Sequence, residues 1–416
     1  MSRILGLVCL STLLLPSVAR AGGFELIEQS PTGVATAGAQ GAVAEEPSTV
    51  YYNPAGLTFQ RGLALSGGFV LSHSDVMADA PSGRVSGGGT LATPSVFLTQ
   101  RLGPYFGAGI GIFSNFAEQL DYPDGWAGRA SGTRFYLTTT TINVAVAIRP
   151  IPQVSVGFGL NIMPASLELA RGISTAGGDG SAHSTGHAVG IGGNVAVLVQ
   201  VVPQYLRLGA TYRSSIDLDF SGHGALEGPG IAEVSNDVTQ TLPLPHNFGL
   251  ALSAKPIPAL TLSLDGRLTL WHDLGAFNRK FTDPNAGQSV MPTTDSLTLN
   301  QRDSWAVRLG GEYRLLDEKL RVRLGVGFDT SPVRRGWLGP LTPDSNRVIA
   351  GAGLGYAFGV LSADVGYSVQ FVLERTSTNP DPGMASYSAV RHIVSAALTV
   401  RLPDFGGRIN VPEYKH

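Results

Sequence analysis

The sequence has one cysteine in 416 residues, few charges and, past its opening stretch, no long apolar run. Each scarcity excludes something. Cys9 lies inside "MSRILGLVCLSTLLLPSVARA", which has a basic start at Arg3, an apolar run from Ile4 to Leu15 and the small-residue cleavage pattern Ala19-Arg20-Ala21. That reads as a secretory signal over residues 1–21, too short to span a bilayer as a helix. More of the apolar run follows Cys9, a poor place for a lipoprotein cleavage site. The exported chain, beginning near Gly22, is expected to be cysteine-free, which excludes disulfide scaffolds, thiolate metal sites and cysteine nucleophiles.

Charged residues are 14% of the chain, 29 basic against 31 acidic. Without Arg3 and Arg20 the balance is 27 to 31, formally −4, which is no footprint for nucleic acid. No later segment approaches the roughly 20 apolar residues of a membrane helix. An exported chain with little charge, no such helix and 54 glycines is left as a large secreted β-protein or a membrane β-barrel.

What is present is alternation. In "LTLSLDGRLTL", Leu260, Leu262, Leu264, Leu268 and Leu270 fall on one face and Ser263, Asp265, Arg267 and Thr269 on the other. "SWAVRLGGEYRL" sets Trp305, Val307, Leu309 and Tyr313 against Arg308, Glu312 and Arg314, and "LRVRLGVGF" sets Leu320, Val322, Leu324, Val326 and Phe328 against Arg321 and Arg323. A barrel strand in lipid alternates in this way, and so does a soluble sandwich, so connection lengths supply the second test.

Extended segments fall near 61–76, 92–102, 105–113, 133–149, 153–170, 186–201, 204–220, 239–255, 258–272, 302–315, 319–329, 346–358, 361–374 and 388–402, about fourteen in all. Short connections such as "GP" at 103, "RPIP" at 149, "VP" at 202, "KPIP" at 255 and "LDE" at 316 alternate with long ones near 77–91, 114–132, 171–185, 221–238, 273–301, 330–345 and 375–387. Short turns on one rim, long loops on the other and both ends of the barrel on the short-turn side are the plan of an outer-membrane barrel. Tyr105, Phe106, Tyr205, Phe220, Trp271, Trp305, Phe328, Tyr356, Phe358 and Phe371 lie near strand ends. They suit the interfacial girdles of such a barrel, or express ordinary β-propensity.

With these features the chain resembles the FadL/TodX-type outer-membrane transporters of long-chain fatty acids and other hydrophobic compounds. The resemblance is carried by "GGFELIEQSPTGVATAGAQGAVAEEPSTVYYNPAGL", by "LPLPHNFGLALSAKPIPALTLSLDGRLTLW" and by "WAVRLGGEYRLLDEKLRVRLGVGFDTSPVRRGWLGPLTPDSNRVIAGAGLGYAF". It implies an all-β, closed antiparallel transmembrane barrel of about fourteen strands over residues 58–402, an N-terminal plug over 22–57 in its lumen, and a C-terminal tail over 403–416. The tail departs from the many outer-membrane barrels that finish on a terminal aromatic.

The resemblance also assigns roles. Asn53-Pro54-Ala55 is expected where the plug hands the chain to the first strand, Pro54 fixing a turn and Asn53 tying backbone groups, with an ordinary turn as the alternative. A kink in the family's third strand opens a lateral gap, so Gly107, Gly109 and Gly111 are kink candidates; close packing against the plug is the other reading. Phe116, Leu120, Tyr122 and Trp126, in "FAEQLDYPDGW", are candidates for ligand capture by an outer loop, or for packing one loop on another.

Other chemistry is weighed from the residues themselves. Neither "GAGIGIF" at 107 nor "GAGLGYAFG" at 351 leads into the helix that a dinucleotide fold requires. His183 and His187, four apart, lie in "GDGSAHSTGHAVG", a Gly-Ser loop rather than a helix that could share a metal between them. No Gly-x-Ser-x-Gly elbow occurs, and no enzyme, cofactor or metal is expected. Asp265, Arg267, Arg308, Glu312, Arg314, Arg321 and Arg323 would face one sector of the lumen. Either some of these arginines hold a ligand carboxylate, or they pair with Asp265, Glu312 and plug acids such as Glu45 and Glu46 in a filled barrel; the second is favoured. The expectation is a monomer in the outer membrane of a Gram-negative-type cell. Its partners would be hydrophobic small molecules and outer-membrane lipid, taken up passively through loop capture, a lumenal pocket and release past the plug or through a side opening. A general porin for polar solutes and a structural or adhesive barrel are the alternatives.

Overall fold

The computed structural model describes residues 23–175, 177–230, 234–281, 294–378 and 385–403. The expected signal and nearly all of the expected tail lie outside them. Among the described residues no helix is long and apolar enough to cross a membrane. Strands cross instead, in one sheet of twenty segments.

Six strands are interrupted, so the segments make fourteen. They are β1 (Leu63–Ala80), β2 (Gly83–Leu102), β3 (Phe106–Phe113 and Ala117–Asp121), β4 (Arg134–Thr139 and Thr141–Ile151), β5 (Val154–Thr175), β6 (Gly178–Val202) and β7 (Leu206–Arg213 and Ile216–Glu227). The second half comprises β8 (Val234–Leu244 and His246–Ile257), β9 (Leu260–Leu270 and Ala276–Phe281), β10 (Thr294–Thr298 and Ser304–Leu315), β11 (Leu320–Asp329), β12 (Arg347–Phe358), β13 (Leu361–Thr376) and β14 (Ser386–Leu402). β1 pairs antiparallel with β2 on one side and with β14, from Leu63↔Leu402 to Asp79↔Ser386, on the other. The barrel is therefore closed, as lipid demands of any sheet that crosses it, because a free edge would leave backbone groups without partners.

The alternation works as read. On β11 Leu324 is 64% exposed and Val326 54%, while Arg323 between their neighbours is fully buried. Each strand sends one row to lipid and the other to the lumen.

Three of the expected long loops are mostly strand. β1 and β2 continue to a tight turn at 81–82, β5 and β6 run past 171–185, and β7 and β8 extend through much of 221–238. Beyond the lipid band the outward row no longer needs to be apolar, so period-2 contrast fades while the hydrogen-bond ladder goes on. For the same reason His183 and His187 stand on β6 rather than in a loop, His183 lying 3.9 Å from Glu227. No group of three or more metal-ligating side chains occurs among the described residues. Two of the girdle candidates also point the other way: Phe220 and Trp271 are buried in the lumen, whereas Tyr105, Phe106, Tyr205, Trp305, Phe358 and Phe371 are exposed.

Residues 23–60 fill the lumen, nearly all of them buried. Helix α1 (Pro31–Ala35) starts with proline at its first position and with Ser30 accepting from the Gly33 N–H at 3.1 Å. α2 (Thr49–Tyr52) leads through Asn53 into a 3₁₀ turn, Pro54–Phe59. α1 lies across β11, β12 and β13, and each strand places a glycine beneath it. A Cβ on Gly325, Gly351 or Gly366 would come within 2.5 Å of the plug backbone at Thr36, Val34 or Pro31. Part of the chain's glycine content is thus a seat for the plug.

Candidate functional site

Toward the long-loop end, Phe24 from the start of the plug meets an aromatic cluster. Its ring centroid lies 5.0 Å from Trp271, 6.1 Å from Phe116 and 6.2 Å from Phe135, the first two edge-on. Edge-to-face contacts of this kind add about 0.5–1.5 kcal/mol to the burial each ring already gains. Beside the cluster is a cavity of about 50 Å³, lined by Phe24, Leu120, Phe135, Glu118, Arg347 and Arg391 among others. A benzene-sized site needs about 150 Å³, so a ligand can enter only if a lining group yields.

Asp344, in the loop between β11 and β12, closes the cavity. Its carboxylate accepts from the Gly23 N–H at 3.2 Å and from Ser331 Oγ at 2.8 Å, tying the plug's start to that loop. Burial pushes its pKa up to about 6, against the pull of Arg347 and the two hydrogen bonds.

The wall is discontinuous beside this cavity. β2 and β3 pair from Leu102↔Phe106 to Val96↔Ile112, and then only at Gly88↔Asp121. The plug supplies bonds there instead: Leu26 N–H donates to Asn115 O at 2.8 Å, and Ala117 N–H to Phe24 O at 3.1 Å. Gln29 does more, its Nε2 donating to Ser114 O at 2.6 Å and its Oε1 accepting from Ser114 N–H at 3.3 Å, while Ser95 Oγ donates to its carbonyl. The break in β3 falls at Ser114–Phe116, just past the glycines read as kink candidates. Gly107, Gly109 and Gly111 are lumen-facing, and a Cβ on the first two would meet Leu57 or Val50 of the plug.

All four capture candidates are buried. Leu120 is on the second segment of β3, not in a loop, and lines the cavity. Phe116 is in the aromatic cluster. Tyr122 and Trp126 stack on one another at 5.1 Å and pack with Val333, Leu338 and Tyr387 beneath the loops.

Toward the short-turn end the plug meets charge. Glu45 pairs with Lys255 and Arg314, and Glu46 with Arg323 at 3.0 Å and Arg321 at 3.9 Å. Arg323 also holds Glu312 at 2.7 Å and Asp364 at 2.6 Å. Arg314 shares Glu312 at 2.8 Å. Nearer the long-loop end, Arg267 pairs with Glu25 at 2.7 Å rather than with Asp265, whose carboxylate accepts from the Gly41 N–H at 2.8 Å, and Arg308 pairs with Asp329 at 2.8 Å. Each of the seven charges read as facing one lumen sector has a partner in the wall or plug.

Asn53 joins these parts. Its Nδ2 donates to Gly41 O at 2.7 Å and to Val197 O on β6 at 3.3 Å, and its Oδ1 accepts from the Ala55 N–H at 3.1 Å. Ala55 O in turn accepts from Ser155 Oγ on β5 at 2.7 Å.

A plugged, closed, fourteen-stranded barrel with a gap beside its third strand matches one sequence family, Outer membrane protein transport protein (OMPP1/FadL/TodX), over residues 12–401. The chain belongs to that family. Its members are outer-membrane transport channels and not enzymes. The long-chain fatty acid transport protein of Escherichia coli (strain K12) is 27% identical, with 87% of this chain and 90% of the relative aligned. A Pseudomonas aeruginosa FadL homologue superposes with a TM-score of 0.81 at 18% identity, covering 91% of this chain and 99% of its own. The Ralstonia pickettii toluene transporter TbuX gives 0.70 at 21%, covering 90% and 99%. These structural likenesses bear on the fold.

Sequence reading did not find Phe24, Phe135, Glu118, Arg347 or Arg391 as one site. The positions of Glu118 and Arg391 differ by 273, and no local pattern links them.

Proposed function

We propose that the chain is a gated channel for passive uptake of hydrophobic compounds, long-chain fatty acids or hydrocarbons, with its short turns in the periplasm. Molecules captured at the outer loops enter the cavity beside the aromatic cluster, and displacement of the plug's start opens the gap between β2 and β3 toward the bilayer. The observation that carries the reading is the doubling of functions at Phe24–Gln29: the segment both fills the aromatic cluster and completes the broken wall. Apolar burial at about 25 cal/mol per Å² would supply most of the affinity. Asn53 is proposed to anchor the rest of the plug while this segment moves.

The filled lumen favours this reading over a general porin. Reconstituted protein should carry labelled hydrophobic compounds into vesicles while showing little single-channel conductance. Free conductance of small ions without hydrophobe uptake would support a porin, and neither activity a structural barrel.

A further inference from the structure

The cavity beneath the loops contains cations, but they are occupied. Arg391 Nη2 donates to both oxygens of Glu118, at 2.8 and 2.7 Å, and its Nε to Ser74 Oγ at 2.8 Å. Both partners are nine-tenths hidden from solvent. Arg347 donates to Gln370 Oε1 at 3.0 Å and to Gly23 O at 2.8 Å, and stands 3.9 Å from the carboxylates of Asp329 and Asp344. Gln370 passes on to Glu28 of the plug at 3.2 Å. Lining the cavity, then, Glu118 and Asp344 face Arg347 and Arg391, an acid for each cation, with Glu28 behind Gln370. Asp329 is additionally committed to Arg308.

A ligand carboxylate entering this site would leave water without gaining a free guanidinium, and would have to displace a carboxylate already held at both oxygens. An uncharged chain or ring meets no such penalty. We infer that the cavity selects uncharged hydrophobic molecules (hydrocarbons, long-chain esters or alcohols) over carboxylates, and that Glu118 determines this specificity by sequestering Arg391. The inference rests on the channel reading above and narrows its substrate class.

The test uses the full-length protein in detergent at pH 7.5, with laurate and methyl laurate competing against the neutral fluorescent probe N-phenyl-1-naphthylamine. The wild type should bind methyl laurate at least about tenfold more tightly than laurate, one charge-assisted contact being worth about that factor. Glu118→Gln should release Arg391 and raise the affinity for laurate relative to methyl laurate about tenfold. The double variant Glu118→Gln/Arg391→Gln, with the pair neutralised, should show no gain for laurate relative to methyl laurate over the wild type. This separates a freed cation from mere loss of an acid and stands in if the single variant fails to assemble. Equal or tighter binding of laurate by the wild type would overturn the inference and leave the channel reading intact. So would a laurate gain that persists in the double variant. Failure of either compound and of the probe to bind would overturn the channel reading, and the selectivity with it.

Discussion

The plug is held by different physics at its two ends. At the short-turn end, Glu45 and Glu46 sit among Lys255, Arg314, Arg321 and Arg323, and Arg207 and Arg401 donate to the Val43 and Glu45 carbonyls. At the long-loop end, Phe24 rests in an aromatic cluster, the backbone of residues 24–26 makes a few bonds to the break in β3, and Glu25 pairs with one arginine, Arg267. Breaking one side of a buried ion pair strands its partner, so the first end resists small displacements. Replacing a ring by another apolar body changes little in free energy, so the second end, with one ion pair against the first end's network, yields more readily. One short segment thus combines a fixed end and a yielding one.

The largest effect should come from attacking the fixed end. Arg323→Met strands Asp364 and leaves Glu312 to Arg314 and Glu46 to the longer contact with Arg321, a loss of about 3–5 kcal/mol by the cost of breaking a buried pair. The barrel should still assemble, as judged by its shift in gel mobility on heating, but open-channel events should rise at least about tenfold in planar bilayers. Unchanged conductance would mean that the charge network is not what holds the plug.

A second perturbation strikes the packing beneath the loops. Replacing Tyr122 and Trp126 together by serine removes a stacked pair from a buried cluster; truncating one such aromatic typically costs about 3–5 kcal/mol. Equilibrium binding of a hydrophobic probe should weaken at least about tenfold. Arg321→Ala, which gives up a 3.9 Å contact with Glu46, should change binding less than about twofold. If the arginine variant were the more damaging, ligand recognition would belong to the charged end.

Asn53→Ala lies between the two ends. It deletes three hydrogen bonds that join the plug to itself and to β6, on the order of 1–3 kcal/mol at a buried site. Assembly should be unaffected, because no strand pairing is touched, while uptake should change several-fold in matched amounts of heat-modifiable protein. Unchanged uptake and conductance would reduce Asn53-Pro54-Ala55 to a turn.

The smallest effect should be a pH dependence at Asp344. Its folded pKa, about 6, is raised above its ordinary value. Its contribution to stability is therefore fully present below about pH 4 and is lost as the pH rises through about 6. The temperature of gel-mobility conversion should fall by a few degrees from pH 5 to pH 7, and by less in Asp344→Asn. An identical pH profile in the two proteins would show that the contact between Gly23 and Asp344 is not titrating.

The fold was legible where lipid imposes a pattern. Leu260–Leu270 and Leu320–Phe328 gave their facing and their bounds almost to the residue, because a wrong register would put arginine in hydrocarbon. It was not legible in "SGGGT" at 86–90 or "GDGSAHSTGH" at 178–187, where strands rise past the lipid and alternation ceases to be required. Lumen charges could be read as paired, although sequence could not assign Arg267 to Glu25 or Arg308 to Asp329. The cavity was hidden because its residues come from the plug, β1, β3, β4, β12, β13, β14 and the connecting loops, brought together only by closure of the barrel.

The most direct measurement is hydrogen–deuterium exchange along the plug with and without a saturating long-chain alcohol such as 1-hexadecanol, since amide protection reports local opening free energy. Ligand should speed exchange at residues 24–29 and 114–117 and leave residues 43–57 protected. Uniform exchange along the plug, or loosening that begins at residues 43–57, would contradict a fixed end and a yielding end.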